Sequence, residues 1–253
     1  MGRAVIALAA EDPNFKVVGA IEAIGHRELG KDAGVTAGVS PLGVSISSDL
    51  AGLIETADAV IDFSERQSTL SCVELARRAG KALVIGTTGL SDADIAQVKG
   101  AAQQIPIVLS PNMSIGVNVL FGIAEATARK LKGYDVEIFE VHHNKKKDAP
   151  SGTAKKLAQV VAAATGRDLS RDAVYGRQGI VGERKPSEIG ILAARAGDVV
   201  GEHTVIFAGP GERIELIHRA HSRNTFASGA LRAARFAAIA SPGFYSMADV
   251  LEG

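Results

Sequence analysis

The residues best equipped for chemistry crowd into one stretch, VEIFEVHHNKKKDAPSGT, from Val136 to Thr153. His142 and His143 carry imidazoles, the one side chain whose ordinary titration lies near neutral pH, so either can deliver or take a proton. Lys145, Lys146 and Lys147 put positive charge beside them. Ser151, Gly152 and Thr153 stand where a helix begins. A helix N-terminus presents unpaired backbone N–H groups and a partial positive charge, which together form a cradle for a carboxylate or a phosphate. The combination describes a site that grips a small anion and protonates it. A charge run of this kind is more often a solvated turn. The elements on either side argue for the chemical reading.

Upstream, Val136, Ile138, Phe139 and Val141 are strand formers with acidic residues between them, so the stretch opens as a β-strand. Downstream, Pro150 stops the preceding backbone and Ser151 is suited to cap a helix. Ala154, Leu157, Ala158 and Val161 then recur at helical spacing. A strand, a basic loop and a capped helix therefore hold the two histidines and Lys146 in a fixed frame.

The whole chain sets the bounds. Its 253 residues suffice for one large or two modest domains, and a 46% hydrophobic content excludes disorder. Lysine plus arginine equals aspartate plus glutamate at 28 each, so no global field recruits nucleic acid or an anionic membrane. Any preference for anions is local. No apolar run approaches the ~18 residues of a membrane span, no signal-like segment opens the chain, and the single cysteine cannot form an internal disulfide. The expected location is cytoplasmic. Cys72 reads as a small core residue of a helix. His203, His218 and His221 read as structural or interfacial, because no carboxylate or cysteine stands at metal-ligand spacing from them, and no metal site is expected.

In chain order, 1–10 is helical and 15–22 (FKVVGAIE) is a β-rich run ending on an acid. Then come a strand at 57–64, a helix at 67–79, a strand at 81–86, a helix at 91–104 and a strand at 105–109. Alternation with short loops predicts a parallel α/β sheet, and near-continuous apolar strands predict helices on both faces. Glu22, at the end of the second strand of such a unit, stands where a dinucleotide fold holds ribose hydroxyls. Gly86-Thr87-Thr88-Gly89 and Ser110-Pro111-Asn112-Met113 follow later strands, and read coldly they are turns. After Met113 the pattern changes. A helix at 114–130 precedes the central strand, and strands at 189–196, 199–208 and 213–220 follow the Ser151–Thr165 helix. Tight turns at Gly197-Asp198 and at 209–212 (GPGE) predict antiparallel neighbours, hence an α+β domain with a mixed or antiparallel sheet. A last helix occupies 222–240.

The run from His142 to Thr153 resembles the HHxxKxDAPSGT signature of the dihydrodipicolinate reductase family, and the resemblance extends from Gly2 to about Leu251. It implies a Rossmann-like cofactor domain at 1–113 and 223–253, discontinuous in sequence, and a substrate-binding and tetramerisation domain at 114–222. It also implies reduction of 4-hydroxy-tetrahydrodipicolinate to tetrahydrodipicolinate with NADH or NADPH, in lysine and diaminopimelate biosynthesis. By the same resemblance His142 is the proton donor and Lys146 its catalytic partner. His143, Ser151, Gly152 and Thr153 hold the dicarboxylate, while Lys145 and Lys147 stay solvated. Gly2, Arg3, Glu22, Phe63, Gly86, Thr87, Thr88, Ser110, Pro111, Asn112 and Met113 fall to the cofactor, and the assembly is a homotetramer. Glu22 favours NADH, since a carboxylate repels a 2′-phosphate, although His26, Arg27 and Lys31 are near enough to offset it.

One departure stands out. A Rossmann unit opens with a strand and a glycine-rich turn before its first helix. Here only Met1-Gly2-Arg3, the tail of a GxxGRMGR-like loop, precedes the helix. Without a first strand, inner sheet edges lose their partners, so the expected reading frame begins upstream of Met1. The second reading is a truncated homologue that binds a dicarboxylate but holds the cofactor poorly. A different two-domain dehydrogenase is the third, and it would lack the HHxxKxDAPSGT stretch.

Overall fold

The computed structural model describes residues 1–253, which divide into two compact units, Met1–Ile115 with Arg223–Gly253, and Gly116–Ser222.

The first unit is built on a four-stranded sheet. In chain order its elements are α1 (Gly2–Glu11), β1 (Ala20–Ile21), α2 (Ala33–Ala37), β2 (Ile46–Ser47), α3 (Leu50–Leu53), β3 (Ala59–Asp62), α4 (Arg66–Ala79), β4 (Ala82–Ile85), α5 (Asp92–Ala101) and β5 (Pro106–Leu109). β3, β4 and β5 are parallel neighbours, and a later strand, Gly243–Tyr245, joins parallel to β5 at the outer edge. Both faces are covered, as the unbroken apolar strands require. Along β4, Leu83 and Ile85 pack with Cys72, Val73, Ala76 and Val98 of α4 and α5. Ala82 and Val84 face the other way, onto Ala230, Ala233, Ala234 and Ala237 of the final long helix. Local signals end these helices where the sequence asks: Gly80 takes a left-handed C-cap after α4, and Ser91 with Asp94 forms a capping box at the start of α5. Burial pushes the Cys72 thiol up to about 12, so it is the inert core residue its helix position implied.

The expected strand at 15–22 is a strand only at Ala20–Ile21. Its one partner, β2, offers two residues, Ala20↔Ile46 and Ile21↔Ser47, and this pair forms a separate sheet. With a ladder that short, nothing holds the preceding β-formers in extended pairing. The strand at Gly243–Tyr245 was not anticipated. Three residues with a glycine carry too little pattern to announce a strand.

The second unit begins with α6 (Ile115–Lys130), then β6 (Asp135–His142), α7 (Gly152–Thr165), α8 (Leu169–Asp172), β7 (Ala173–Val174), β8 (Ile189–Arg195), β9 (Gly201–Gly209) and β10 (Glu212–Ala220). α9 (Asn224–Ile239), β11 (Gly243–Tyr245) and α10 (Met247–Glu252) return to the first unit. The five strands lie in the order β10-β9-β6-β8-β7, a mixed sheet. Val136 and Ile138 of β6, Ile189 and Ile191 of β8, and Val205 and Phe207 of β9 bury one face under α6 and α7.

The GPGE hairpin is as expected: Gly209 pairs with Glu212, and Gly211 takes φ +80, which the turn needs. The Gly197-Asp198 turn is not a hairpin. β8 pairs parallel with β6, β9 pairs antiparallel with β6, and β6 lies between them. The chain leaving β8 stays bonded to the end of β6, through Ala196 N–H to His142 O (2.8 Å) and Asn144 N–H to Gly197 O (3.1 Å), before entering β9. Short connections imply neighbours only when the intervening slot is empty, and here the central strand fills it.

Within the first unit α9 approaches the backbone after β5 very closely. A Cβ added at Gly229 would stand 1.7 Å from Met113 O. Gly229→Ala is therefore expected to lower stability by about 1–3 kcal/mol through overpacking, whereas Gly122→Ala, in α6 with open space around it, gains up to about 1 kcal/mol of helix propensity. Thermal or urea unfolding reads both. A Gly229→Ala protein as stable as the parent would remove the close-approach argument.

Candidate active site

The face of β6 that packs on α7 changes character along its length. Alternate side chains of a strand share a face, so Val136, Ile138, Glu140 and His142 all point the same way, and all are buried. The first two belong to the core. The last two begin a polar cluster at the carboxyl end of the strand.

Glu140 is fully buried and is bonded from three sides. His142 meets its Oε2 through Nδ1. Arg195, paired with His142 across the β6–β8 ladder, donates from Nη1 to Oε2 (3.1 Å) and from Nη2 to Oε1 (3.2 Å). The Ser151 N–H donates to Oε1 at 3.0 Å. Burial alone would raise the Glu140 carboxyl, but the bonds from His142, Arg195 and the Ser151 N–H outweigh it and hold it at about 2. The carboxylate is therefore anionic, and His142 donates Nδ1–H to it, which leaves Nε2 as the nitrogen for proton exchange.

Ser151 caps α7 as its sequence position implied, with its hydroxyl accepting from Ala154 N–H at 3.2 Å. Its own N–H is bound to Glu140, so Ser151 can offer a ligand its hydroxyl and not its backbone. Gly152, the first helical residue, is exposed, and Thr153 is buried beside it. His203, opposite Glu140 in the β6–β9 ladder, places Nε2 3.1 Å from the Ser151 hydroxyl, and its ring stands edge-on to His142 with centroids 5.2 Å apart. The sequence reading assigned His203 a structural or interfacial place. The structure puts it inside the polar cluster.

The basic loop is less uniformly positive than its sequence. Lys146 is mostly buried and bonded to Asp148 (Nζ to Oδ1, 2.8 Å), and that lysine holds the Asp148 carboxyl below the ordinary range. Arg195 Nη2 also donates to Asp148 O at 2.6 Å, which fastens the loop to β8. His143 is half-buried and its carbonyl accepts from Lys146 N–H, while Lys145 and Lys147 are exposed. His142, Lys146, Ser151, Gly152 and Thr153 thus run from a strand end through one loop into the helix it enters.

In the first unit, β3, β4 and β5 end side by side, and the loops beyond them are linked. Phe63 lies against Gly86 so closely that a Cβ there would stand 2.2 Å from the ring. Asp62, buried at the end of β3, accepts from Ser64 N–H (2.9 Å), the Thr69 hydroxyl and the Thr87 hydroxyl (3.3 Å). Ser110 N–H donates to Ile85 O, and the Ser110 hydroxyl to Asn112 O. Asn112 Oδ1 accepts from Ser114 N–H. Met113 is buried, and Thr88 and Pro111 are exposed. So Phe63, Gly86, Thr87, Thr88 and Ser110–Met113 share the carboxyl edge of a parallel sheet, where ligands of open α/β folds bind. Gly2, Arg3 and Glu22 are exposed on α1 and just past β1, outside that four-stranded register. Three adjacent loops at the carboxyl edge of a parallel sheet, with Thr88 and Pro111 exposed on them, and an exposed acid beyond β1 suit a dinucleotide.

Sequence reasoning missed Glu140, Arg195, His203, Asp62 and Asp148. Glu140 was within reach, because a spacing of two on a strand puts it on the His142 face. Arg195 and His203 come from strands far along the chain, and only the strand order brings them in.

The family profile "Dihydrodipicolinate reductase, N-terminus" matches residues 1–113, and "Dihydrodipicolinate reductase, C-terminus" matches residues 116–251. A 4-hydroxy-tetrahydrodipicolinate reductase from a species of Anaeromyxobacter is 52% identical over 252 residues, 99% of this chain and 93% of that protein. Its counterpart from Syntrophus aciditrophicus is 49% identical, covering 99% of this chain and 94% of that protein. Among solved structures, dipicolinate-bound dihydrodipicolinate reductase from a species of Paenisporosarcina superposes with a TM-score of 0.75 at 22% identity, over 97% of this chain and 92% of that one. An amine dehydrogenase from Mycobacterium smegmatis gives 0.62 at 14% identity, over the same shares. At such identities the two superpositions speak for the fold alone. The two profiles and the half-identical relatives, spanning nearly the whole of the chain, decide the question: the chain belongs to the dihydrodipicolinate reductase family of nicotinamide-dependent oxidoreductases.

Proposed function

We propose that this protein reduces 4-hydroxy-tetrahydrodipicolinate to tetrahydrodipicolinate, with the dicarboxylate held at the start of α7 and His142 supplying the proton. One observation carries the reading. A single buried carboxylate, Glu140, binds both the imidazole of His142 and the backbone of Ser151, so proton source and anion holder are parts of one rigid cluster.

A nicotinamide held at the carboxyl edge of the β3–β5 sheet would supply hydride. The chain's own residues do the rest. His142, with Nδ1–H fixed on Glu140, presents Nε2 as the acid. One hydride and one proton enter while the 4-hydroxyl departs as water, so a single proton donor balances the step. Lys146 contributes positive charge to the ring and its carboxylate, with Asp148 fixing its position. The Ser151 hydroxyl, Gly152 and Thr153 hold a carboxylate, and His143 steadies the same ligand. Phe63, Gly86–Thr88 and Ser110–Met113 receive the nicotinamide half of the cofactor, with Gly2, Arg3 and Glu22 toward the adenosine half.

NADH is the preferred reductant in this reading. Glu22 is exposed, and of the cations able to offset it, Arg27 and Lys31 are both engaged by Glu28 (3.4 and 3.0 Å), as is Arg3 at 3.8 Å. The assembly is a homotetramer built on the outer face of the five-stranded sheet. There Phe139 and Ile217 are 40% and 44% exposed, on the face away from α7. Apolar surface of that kind calls for a partner.

Three outcomes are expected. His142→Gln and Lys146→Ala each lower turnover about 100- to 10,000-fold, and Glu140→Gln about 10- to 150-fold, the worth of a hydrogen bond to a charged group. NADH affinity, read by fluorescence titration, stays within about twofold in all three. Unchanged turnover in His142→Gln refutes the assignment. The ratio of kcat/KM for NADH over NADPH exceeds about 10, a difference of ~1.4 kcal/mol, and Glu22→Ala narrows it; a preference for NADPH overturns the role of Glu22. Light scattering gives four times the chain mass, and Phe139→Glu lowers it. A parent protein that is monomeric at micromolar concentration ends the tetramer reading.

A further inference from the structure

The polar cluster contains one histidine with no part in the mechanism above, and hydrogen-bond accounting gives it one. The Ser151 hydroxyl has one O–H to donate and two lone pairs to accept with. One lone pair takes the Ala154 N–H that caps α7. His203 Nε2 lies 3.1 Å from the same oxygen. The other ring nitrogen, His203 Nδ1, is buried with no hydrogen-bond partner, and the residue as a whole is 2% exposed.

A neutral imidazole carries its proton on one nitrogen or the other. With the proton on Nδ1, a buried N–H goes unpaired, and Ser151 must spend its O–H on the bare Nε2. With the proton on Nε2, His203 donates to Ser151. The unpaired atom is then a bare acceptor, and orphaned N–H groups are the rarer defect in folded proteins. In this arrangement both lone pairs of the Ser151 oxygen are filled, by Ala154 and by His203. Its O–H has nothing left within the cluster and must be offered outward. Protonating both nitrogens would again bury an unpaired N–H. Burial chiefly, then the charge of His142, His218 and Lys146, disfavours the cation, and Glu140 only partly opposes them, so the ring is pushed down to about 3 and stays neutral.

We infer that His203 is a positioning residue: it is held as the Nε2–H tautomer, donates to the Ser151 oxygen, and thereby commits the Ser151 hydroxyl to donate to the ligand carboxylate. This rests on the reading of Ser151 as a carboxylate holder, and it deepens that reading. Because the Ser151 N–H belongs to Glu140, the hydroxyl is all that Ser151 can give. Its direction is set from β9, a strand that never touches the ligand in this scheme. His203 differs in this from His142, which uses its free nitrogen for chemistry.

The test has two parts. In the first, the wild-type protein is labelled with 15N at histidine, and long-range 1H–15N correlation spectra are recorded near pH 7.5, with His203→Gln used to assign the resonance. The expected result is a neutral ring protonated at Nε2. A ring protonated at Nδ1 overturns the inference, whatever the enzyme turns over. In the second, calorimetry measures dipicolinate binding to the NADH complex of His203→Ala, His203→Gln, Ser151→Ala and the double alanine variant. His203→Ala is expected to weaken dipicolinate about tenfold while NADH affinity is unchanged. His203→Gln, whose amide NH2 replaces the Nε2–H, stays within about threefold of the parent. In the Ser151→Ala background the His203→Ala change adds nothing, since its effect runs through the hydroxyl. Additive losses in the double variant, or equal losses in Gln and Ala, overturn the inference and leave His203 a packing residue. Failure of the wild-type protein to bind dipicolinate would instead sink the proposed function, and the tautomer measurement would still decide the state of His203.

Discussion

A carboxylate taken wholly out of water is among the costliest groups a fold can carry. It is tolerated only when its lone pairs are filled by well-placed donors. Glu140 is such a group, and much of the second unit follows from keeping it satisfied. Its donors come from three separate places: His142 on its own strand, Arg195 on β8 and the Ser151 N–H at the start of α7. Remove any one and a buried charge loses compensation, which costs far more than the lost bond is worth. The cluster is therefore all or nothing. In the proposed mechanism that cooperativity is useful, because His142 and Ser151 cannot drift apart without unpairing the carboxylate between them.

The strand order makes this possible. β6 is central, with β8 parallel on one side and β9 antiparallel on the other. Parallel pairing brings the end of β8, hence Arg195, level with His142. Antiparallel pairing brings the beginning of β9, hence His203, level with Glu140. A purely antiparallel meander through 189–220 would keep β8 and β9 as neighbours and would not flank β6 with both. The crossing of the chain over the carboxyl end of β6, bonded at Ala196 and Asn144, is the local feature that sets this order. One period-two stripe then serves two ends. Its first half, Val136 and Ile138, packs under Leu157, Ala158 and Val161 of α7; its second half, Glu140 and His142, meets the N-terminus of the same helix. The packing that stabilises α7 is also what aims its first turn at the polar cluster.

What could be read from residues alone divides along the same physical line. α4, α6, α7 and α9 declare themselves through sustained 3.6-residue spacing, and β4 through an apolar run covered on both faces. These patterns are local, and they place Ser151 as a cap and His142 on a strand end without any knowledge of the fold. Pairing is not local. Nothing within Ile189–Arg195 says that its neighbour is β6 and not β9, so the antiparallel expectation for that strand fails, and Arg195 and His203 stay hidden with it. β1 fails for a related reason: its residues are good strand formers, but a two-residue partner gives them little to pair with. Glu140 is the instructive case. Its spacing of two from His142 is plain in the sequence, yet an acid among β-formers reads by default as the outward side of an alternating strand. Burying it makes sense only once three donors are known to converge there.

Charge gives the last step. The chain as a whole is neutral, and the lysine-rich loop suggests that local charge does the work of drawing an anion. The side chains say otherwise. Lys146 is already paired with Asp148, Arg195 is committed to Glu140, and Lys145 and Lys147 stand in solvent. Much of the positive charge near His142 is thus answered before a ligand arrives. Under the proposed function, such a site would discriminate through oriented donors, a hydroxyl and backbone N–H groups at a helix start, more than through net potential. Net potential attracts any anion and fades with salt. A small set of fixed donors rewards a carboxylate that fits and leaves buried groups unpaired for one that does not. The pairing of the basic residues, which looks like a loss of attraction, is what allows geometry to decide.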